Sequence, residues 1–395
     1  MNPLFEPAFS AEEYAGRLAK TRTRMQERGL DMLLVTDPSN INYLTGYDCY
    51  TIAMPQGLLV PSSGDVVFFS RAVDVPGLPL TTHLTKEQVF GYPEDHVDTA
   101  DRHPFDWIAG VMRDRGLAAG TLAIERDSNF YTVRSHDALM AGLPDVKTVD
   151  AQRLVNWVRG VKSDAEIDTM RIAGRIVERV MTEALEMIEP GVRQCDVAAQ
   201  IYATGIMGLE DAGGTYTSAP PLMPTGPGTA VPHLTWSDTP FKVGETTVLE
   251  LAGCYQRYNV PLARTIFLGE PPTRLSELAD IVDDGMDVAL AAVRPGARCE
   301  DVEAAWRAHI TRFGLSKATR IGYSIGIGYP VTTWIERTMS LRPGDTTILE
   351  PNMTFHVLLG MWMDGWGYEL SESIIVTERG AECLSNVPRG LRVKR

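Results

Sequence analysis

Between residues 231 and 271 the chain reads VPHLTWSDTPFKVGETTVLELAGCYQRYNVPLARTIFLGEP, and three of its side chains are equipped for chemistry. His233 has an imidazole that gains or gives a proton near neutrality. Glu250 stands inside the apolar run TVLELAG, where burial strips water from a carboxyl and raises its pKa toward that of a useful base or nucleophile. Arg264, in PLARTIFLG, has a planar fork of donors suited to a substrate carboxylate or to an ion pair between strands, and the structural tie is the favoured reading. Taken alone, His233 is as well explained as a core histidine bonded to backbone, and Glu250 as an outward residue of an edge strand.

These residues need elements to hold them, and the sequence supplies two sets. In the first ~150 residues, helical and strand patterns alternate. Residues 10–28 are spaced like an amphipathic helix; DMLLVTDP, GLLVPSSGDVVFFS and TLAIERD read as strands, with a helix over 105–115. Around 156–162 the chain changes character. Ser163 followed by Glu166 forms a capping box that opens a long helix, and Pro190-Gly191 closes it. The domain boundaries expected are therefore 1–158 and 159–395.

The second part also repeats. IEPGVRQCDVAAQ and VRPGARCEDVEAA each place Pro-Gly-x-Arg and an Asp ahead of a helical pattern, and each follows a long amphipathic stretch. VGETTVLELAG and EPNMTFHVLLG are separated by a similar interval. A period of ~105 residues is too long for a solenoid and indicates one domain built of two duplicated halves. A pocket between such halves is where convergent side chains lie.

With 395 residues, 44% hydrophobic and 22% charged, the chain is long enough for two cores. A formal net charge of −14 argues against binding a phosphate backbone and is compatible with a cationic or zwitterionic small substrate. The N-terminal residues lack a basic-then-apolar leader, and no apolar run approaches the roughly 20 residues of a membrane span. Five scattered cysteines without a C-x-x-C pair fit reduced thiols in a cytoplasmic protein.

The long helix, Pro-Gly-x-Arg, His233, the strand ending in Arg264-Thr265 and the final SESIIVTERG together resemble the creatinase and methionine-aminopeptidase family. The resemblance covers nearly the whole chain and implies an α/β fold: an N-terminal creatinase-like domain followed by a duplicated αββ pita-bread domain. Peptidases of that family hold two metal ions with two Asp, one His and two Glu. The corresponding positions here are Glu250, Pro261, Tyr323, Leu358 and Ser371, and Glu369 or Glu372 would take the last place only if the register slipped. The resemblance thus implies a dismantled metal cage, with no metal and no cofactor.

VTDPSNINYLTGYD, RHPFDW, LVNWVRGVKS, VPHLTW, LAGCYQRY, PLARTIFLG, ERTMSLRPGD and ECLSNVPR, in that order, resemble the ectoine-opening branch of the family. YPVTTWIERT departs from it, lacking an Asp and a Gly before Arg-Thr. The implied substrate is ectoine or a related cyclic amidine that also bears a carboxylate, and the implied assembly is a homodimer. A protonated amidine already carries the positive charge that a metal would otherwise supply. In this reading Glu250 is base or nucleophile, and His233, at the family's substrate-facing position, passes a proton to the leaving nitrogen. Tyr323 donates to the tetrahedral intermediate. Glu336 and Glu369, with Glu372 third, grip the amidinium. His356, two residues before Leu358, is set aside as facing away from the pocket. A creatinase-like amidinohydrolase, a metal-dependent Xaa-Pro dipeptidase and a binding protein without turnover are the competing readings.

Overall fold

The computed structural model describes residues 6–330 and 332–395 and divides into two compact units, Met1–Arg159 and Gly160–Arg395. The first unit runs α1 (Ala11–Glu27), β1 (Met32–Val35), α2 (Pro38–Thr45), β2 (Gly57–Pro61), β3 (Val67–Arg71), α3 (Leu78–Thr81), β4 (Val89–Tyr92), α4 (Pro104–Asp114), β5 (Gly120–Ile124), α5 (Val133–Gly142), β6 (Val146–Asp150) and α6 (Leu154–Val158). Its strands form one sheet in the order β4-β3-β2-β1-β5-β6. The expected helix over 10–28 is α1, capped by the Ser10 hydroxyl, which accepts from the Glu13 N–H. MLLV is apolar without alternation because β1 lies inside the sheet, between antiparallel β2 and parallel β5, and is buried throughout. Phe69, Phe105 and Tyr131 meet edge-to-face in the core on one side of this sheet.

In the second unit come α7 (Asp164–Met187), α8 (Gln194–Met207), β7 (Thr246–Tyr255), β8 (Tyr258–Leu268), α9 (Thr273–Ala292), α10 (Cys299–Thr311), β9 (Gly322–Ile325), β10 (Ile335–Leu341), β11 (Thr354–Leu358), β12 (Met361–Met363), β13 (Trp366–Tyr368), β14 (Ser371–Thr377), β15 (Gly380–Cys383) and β16 (Arg392–Lys394). The capping box read at Ser163 is present at the start of α7. The duplication is visible in the backbone. Gly191 N–H donates to the Phe241 carbonyl and Gln194 N–H to that of Thr239; in the second half Gly296 donates to Leu349 and Cys299 to Thr347. Each Pro-Gly turn is thus pinned in the same way beside its helix.

One sheet has the order β16-β8-β7 and the other β10-β9-β11-β14-β15. They meet along β8 and β14 through serine hydroxyls. Ser371 Oγ accepts from the Ala263 N–H at 2.6 Å, and Ser373 Oγ donates to the Pro261 carbonyl at 2.6 Å. A residue's N–H and C=O leave a strand on the same side. The donor that Pro261 lacks would therefore face β14, and the ladder to β7 runs unbroken through the Ala252–Pro261 pair.

Candidate active site

Strand alternation sorts the side chains of the second unit onto two faces. In the β7–β8 hairpin Glu250 pairs with Ala263 and Ala252 with Pro261, while Leu249 pairs with Arg264. Glu250 and Pro261 therefore share one face and Arg264 takes the other. In the larger sheet His356 stands opposite both Tyr323 and Ser373, and Leu358 opposite Ser371. Tyr323, His356, Leu358 and Ser371 share a face, and Glu372 lies on its reverse.

The shared face is buried and polar. His356 Nδ1 is 3.0 Å from the Tyr323 hydroxyl, and Nε2 is 2.6 Å from Ser371 Oγ. Trp334 Nε1 donates to the Tyr323 oxygen at 3.3 Å. Burial pushes the His356 imidazole down to about 3, so the ring is neutral near pH 7. The neutral ring has one N–H, so it donates to one of these two hydroxyls and accepts from the other, while Ser371 Oγ also accepts from Ala263 and the Tyr323 oxygen from Trp334. Glu250 Oε1 lies 3.9 Å from His356 Nδ1 on the same face.

Glu250 is 4% exposed and Glu369 1%. Burial, followed by repulsion from Glu369, raises the Glu250 carboxyl well above the ordinary carboxylate range. Burial lifts Glu369 to about 7, against an opposing pull from the Lys317 charge and the Trp362 indole N–H. Glu369 Oε1 is buried without a hydrogen-bond partner among the described residues. The backbone on both sides holds these acids firmly. Glu250 N–H and C=O pair with Leu222, and Thr265 Oγ1 bonds both the N–H and the C=O of Glu369. Burial also raises the Tyr323 hydroxyl far above its usual value, with the Glu250 charge adding to the effect, so it stays a protonated donor.

The remaining candidates fall elsewhere. All the N–H groups of Arg264 are spent inside the fold, on the carbonyls of Ala263, Ser371, Val387 and Pro388 and on Glu372 at 2.8 Å. Arg264 is a strand tie, the reading favoured from the sequence, and the alternative in which it binds a substrate carboxylate is left without a free N–H. Glu372 is held by Arg264 and by Arg389 at 3.2 Å on the reverse face, so its assignment to the amidinium is corrected. Glu336 forms a fully buried ion pair with Lys162 at 2.6 Å, which neutralises the charge expected to grip a cation. His233, expected to pass a proton to the leaving nitrogen, is exposed and makes no hydrogen bond among the described residues. Its loop runs along the site's rim: the neighbouring Leu234 carbonyl accepts from Met223, and Leu222 pairs with Glu250.

His356 was set aside on a misjudged alternation. With a period of two, a residue two places before Leu358 shares its face, and here it bridges Tyr323 and Ser371. The sequence held that signal. Lys317 and Trp334 lie outside any periodic pattern; the YPVTTWIERT segment around Trp334 was marked only by Glu336, and nothing near Lys317 pointed to the site.

The donor set does not fit a pair of metal ions. Pro261 and Leu358 offer no side-chain ligand, Ser371 and Tyr323 are neutral hydroxyls committed to His356, and Glu250 alone is a carboxyl. No group of three His, Cys, Asp or Glu side chains among the described residues is disposed to bind a metal.

A duplicated αββ unit whose buried acids and hydroxyls converge on facing strands is the architecture of a known enzyme class. Residues 168–378 match the metallopeptidase family M24, and residues 17–161 match the creatinase/prolidase N-terminal domain. The chain belongs to the M24 family and is a hydrolase. It is 42% identical over 393 residues to ectoine hydrolase of Halomonas elongata, covering 98% of both chains. It is 23% identical to the Xaa-Pro dipeptidase of Pyrococcus furiosus, over 95% of this chain and 99% of that one. Among solved structures, the prolidase of Thermococcus sibiricus superposes with a TM-score of 0.84 at 20% identity, over 98% of this chain and all 100% of that one, a likeness of fold. No helix among the described residues is long and apolar enough to cross a membrane.

Proposed function

We propose that the protein opens the ring of ectoine to N-acetyl-2,4-diaminobutyrate without a metal ion, as a cytoplasmic homodimer. The observation that carries this reading is the pair of buried carboxyls, Glu250 and Glu369, each raised in pKa by burial and, among the described residues, neither within ion-pair distance of a lysine or arginine. Such a pair is costly unless a cation joins it. An amidinium supplies that cation and is also the electrophile. The 42% identity to an ectoine hydrolase supports the same substrate.

In this reading Glu369 pairs with an amidinium N–H, and Glu250 takes a proton from water as its oxygen adds to the amidine carbon. The adduct carries one hydroxyl and two nitrogens on that carbon. Tyr323, aimed by neutral His356, donates to the new oxygen. Glu250 returns its proton to one ring nitrogen, the C–N bond breaks, and the hydroxyl proton ends on the departing amine as the amide carbonyl forms. Water is consumed and charge is conserved. The missing metal ligands support a route in which the substrate's own charge polarises the carbon.

The test is incubation of chelator-treated protein with ectoine, creatine and a Xaa-Pro dipeptide, with products followed by mass spectrometry. The reading expects ring-opened ectoine at an undiminished rate, with no urea-yielding cleavage of creatine and no free proline. Dipeptide cleavage abolished by the chelator would overturn it.

A further inference from the structure

Two carboxyls account for recognition of an amidinium but not of a carboxylate, and the sequence offered Arg264 for that role. With Arg264 consumed by the fold, three other cations near these strands are engaged in their turn, and Arg257 in the β7–β8 turn is stacked on Tyr216 and Tyr329. Lys162 is paired with Glu336. Arg320 lies over the Tyr323 ring, 4.5 Å from its centroid, and bonds Ser340. Arg389 serves Asp287 and Glu372 on the reverse face. Lys317 is different.

Lys317 precedes β9 in an irregular segment. Its ammonium donates to the Gly360 carbonyl and stands 4.0 Å from the centre of the Trp362 ring. Trp362 packs against Gly360, where a Cβ would come within 2.6 Å of the indole, so this position has no room for a side chain. The β12–β13 hairpin that carries Trp362 leads directly into Glu369. Indole, ammonium and buried carboxylate are thus gathered at one end of the face. The ammonium is not sealed: Lys317 is half-buried, and one hydrogen bond leaves it N–H groups for an arriving anion.

We propose that Lys317 is the specificity-determining residue that receives the carboxylate of the ring substrate while Glu250 and Glu369 hold its amidinium. The inference rests on the ring-opening reading above and names the part of the site that tells a zwitterionic ring from a simple cationic one. Trp362 fixes the ammonium laterally; burial lowers its pKa to about 8 against the opposing pull of Glu369, so it is still charged near pH 7. A substrate with both charges meets an acid pair and a cation; one lacking the carboxylate leaves Lys317 unanswered.

Lys317→Met keeps the length that packs on Trp362 and removes the charge, and Lys317→Arg restores it. Each would be assayed with ectoine and with 2-methyl-tetrahydropyrimidine, the same ring without the carboxylate. Loss of one charge-assisted contact predicts a fall of about 10- to 100-fold in kcat/KM for ectoine in Lys317→Met, with less than about 3-fold change for the decarboxylated ring. Lys317→Arg recovers part of the loss. An equal fall on both substrates, or none on ectoine, overturns the assignment. If the wild type opens neither ring, the ring-opening reading fails. Lys317 is then judged by thermal shift: stabilisation by ectoine that vanishes in Lys317→Met supports the carboxylate contact, and equal or absent stabilisation overturns it.

Discussion

The two faces of the second unit's strands treat buried acids in opposite ways. On the reverse face Glu372 sits between Arg264 and Arg389, and Arg264 in turn bonds four backbone carbonyls. On the site face Glu250 and Glu369 are as deeply buried and, like Glu372, are raised by burial, but among the described residues neither has a lysine or arginine at ion-pair distance where Glu372 has two. An acid matched within the fold holds strands together; an acid left unmatched stores a cost that a ligand can relieve. Glu336, matched by Lys162, belongs with the structural kind although its sequence neighbourhood looked functional.

The strongest way to break this contrast is Glu250→Gln. Removing the group proposed to move the proton is expected to lower kcat by ~10³-fold or more, measured as ectoine consumed at saturation, while the protein remains folded. Arg264→Met should do the reverse. Leaving Glu372 buried without its main partner is expected to cost about 3–5 kcal/mol of stability by denaturant unfolding, with kcat of the folded fraction little changed. Loss of turnover in a stable Arg264→Met protein would return that arginine to the site.

Titration sharpens the comparison further. Glu369 is raised to about 7, so kcat/KM for ectoine should climb as pH rises through about 7, when the carboxylate that pairs with the amidinium forms. Stability should run the other way. A carboxyl whose folded pKa exceeds its unfolded value contributes stability below the unfolded value, and that contribution is lost as pH rises through the folded one. Glu369→Gln should therefore raise Tm relative to the wild type, and by more at pH ~8 than at pH ~5, when compared by calorimetry. The smallest effect is expected at the rim: His233→Ala should change kcat/KM by less than about 10-fold, a modest loss relative to Glu250→Gln. A loss equal to that of Glu250→Gln would place the imidazole in proton transfer.

The sequence carried the architecture because its signals are local. The Ser163–Glu166 capping box, the twin Pro-Gly turns and the alternating apolar runs each appear where expected. Glu250 was legible for the same reason, an acid in a strand too apolar to be exposed. Faces were harder to read. Glu372 differs from Ser371 by one position, and one position in a strand exchanges pocket for core. His356 was misread through that alternation. Lys317 was invisible because its segment has no period, and Arg264 was ambiguous because a buried arginine looks the same in sequence whether it binds a substrate or five groups of its own chain.

Counting protons tests most directly whether the unmatched acids await a cation. Ectoine would be titrated by calorimetry into the Glu250→Gln protein, which binds without turning over, at about pH 6.5 in two buffers of different ionisation enthalpy. The account predicts net release of a fraction of a proton, as the amidinium draws the Glu369 carboxyl down from about 7. Binding with no release, or with uptake, would contradict it.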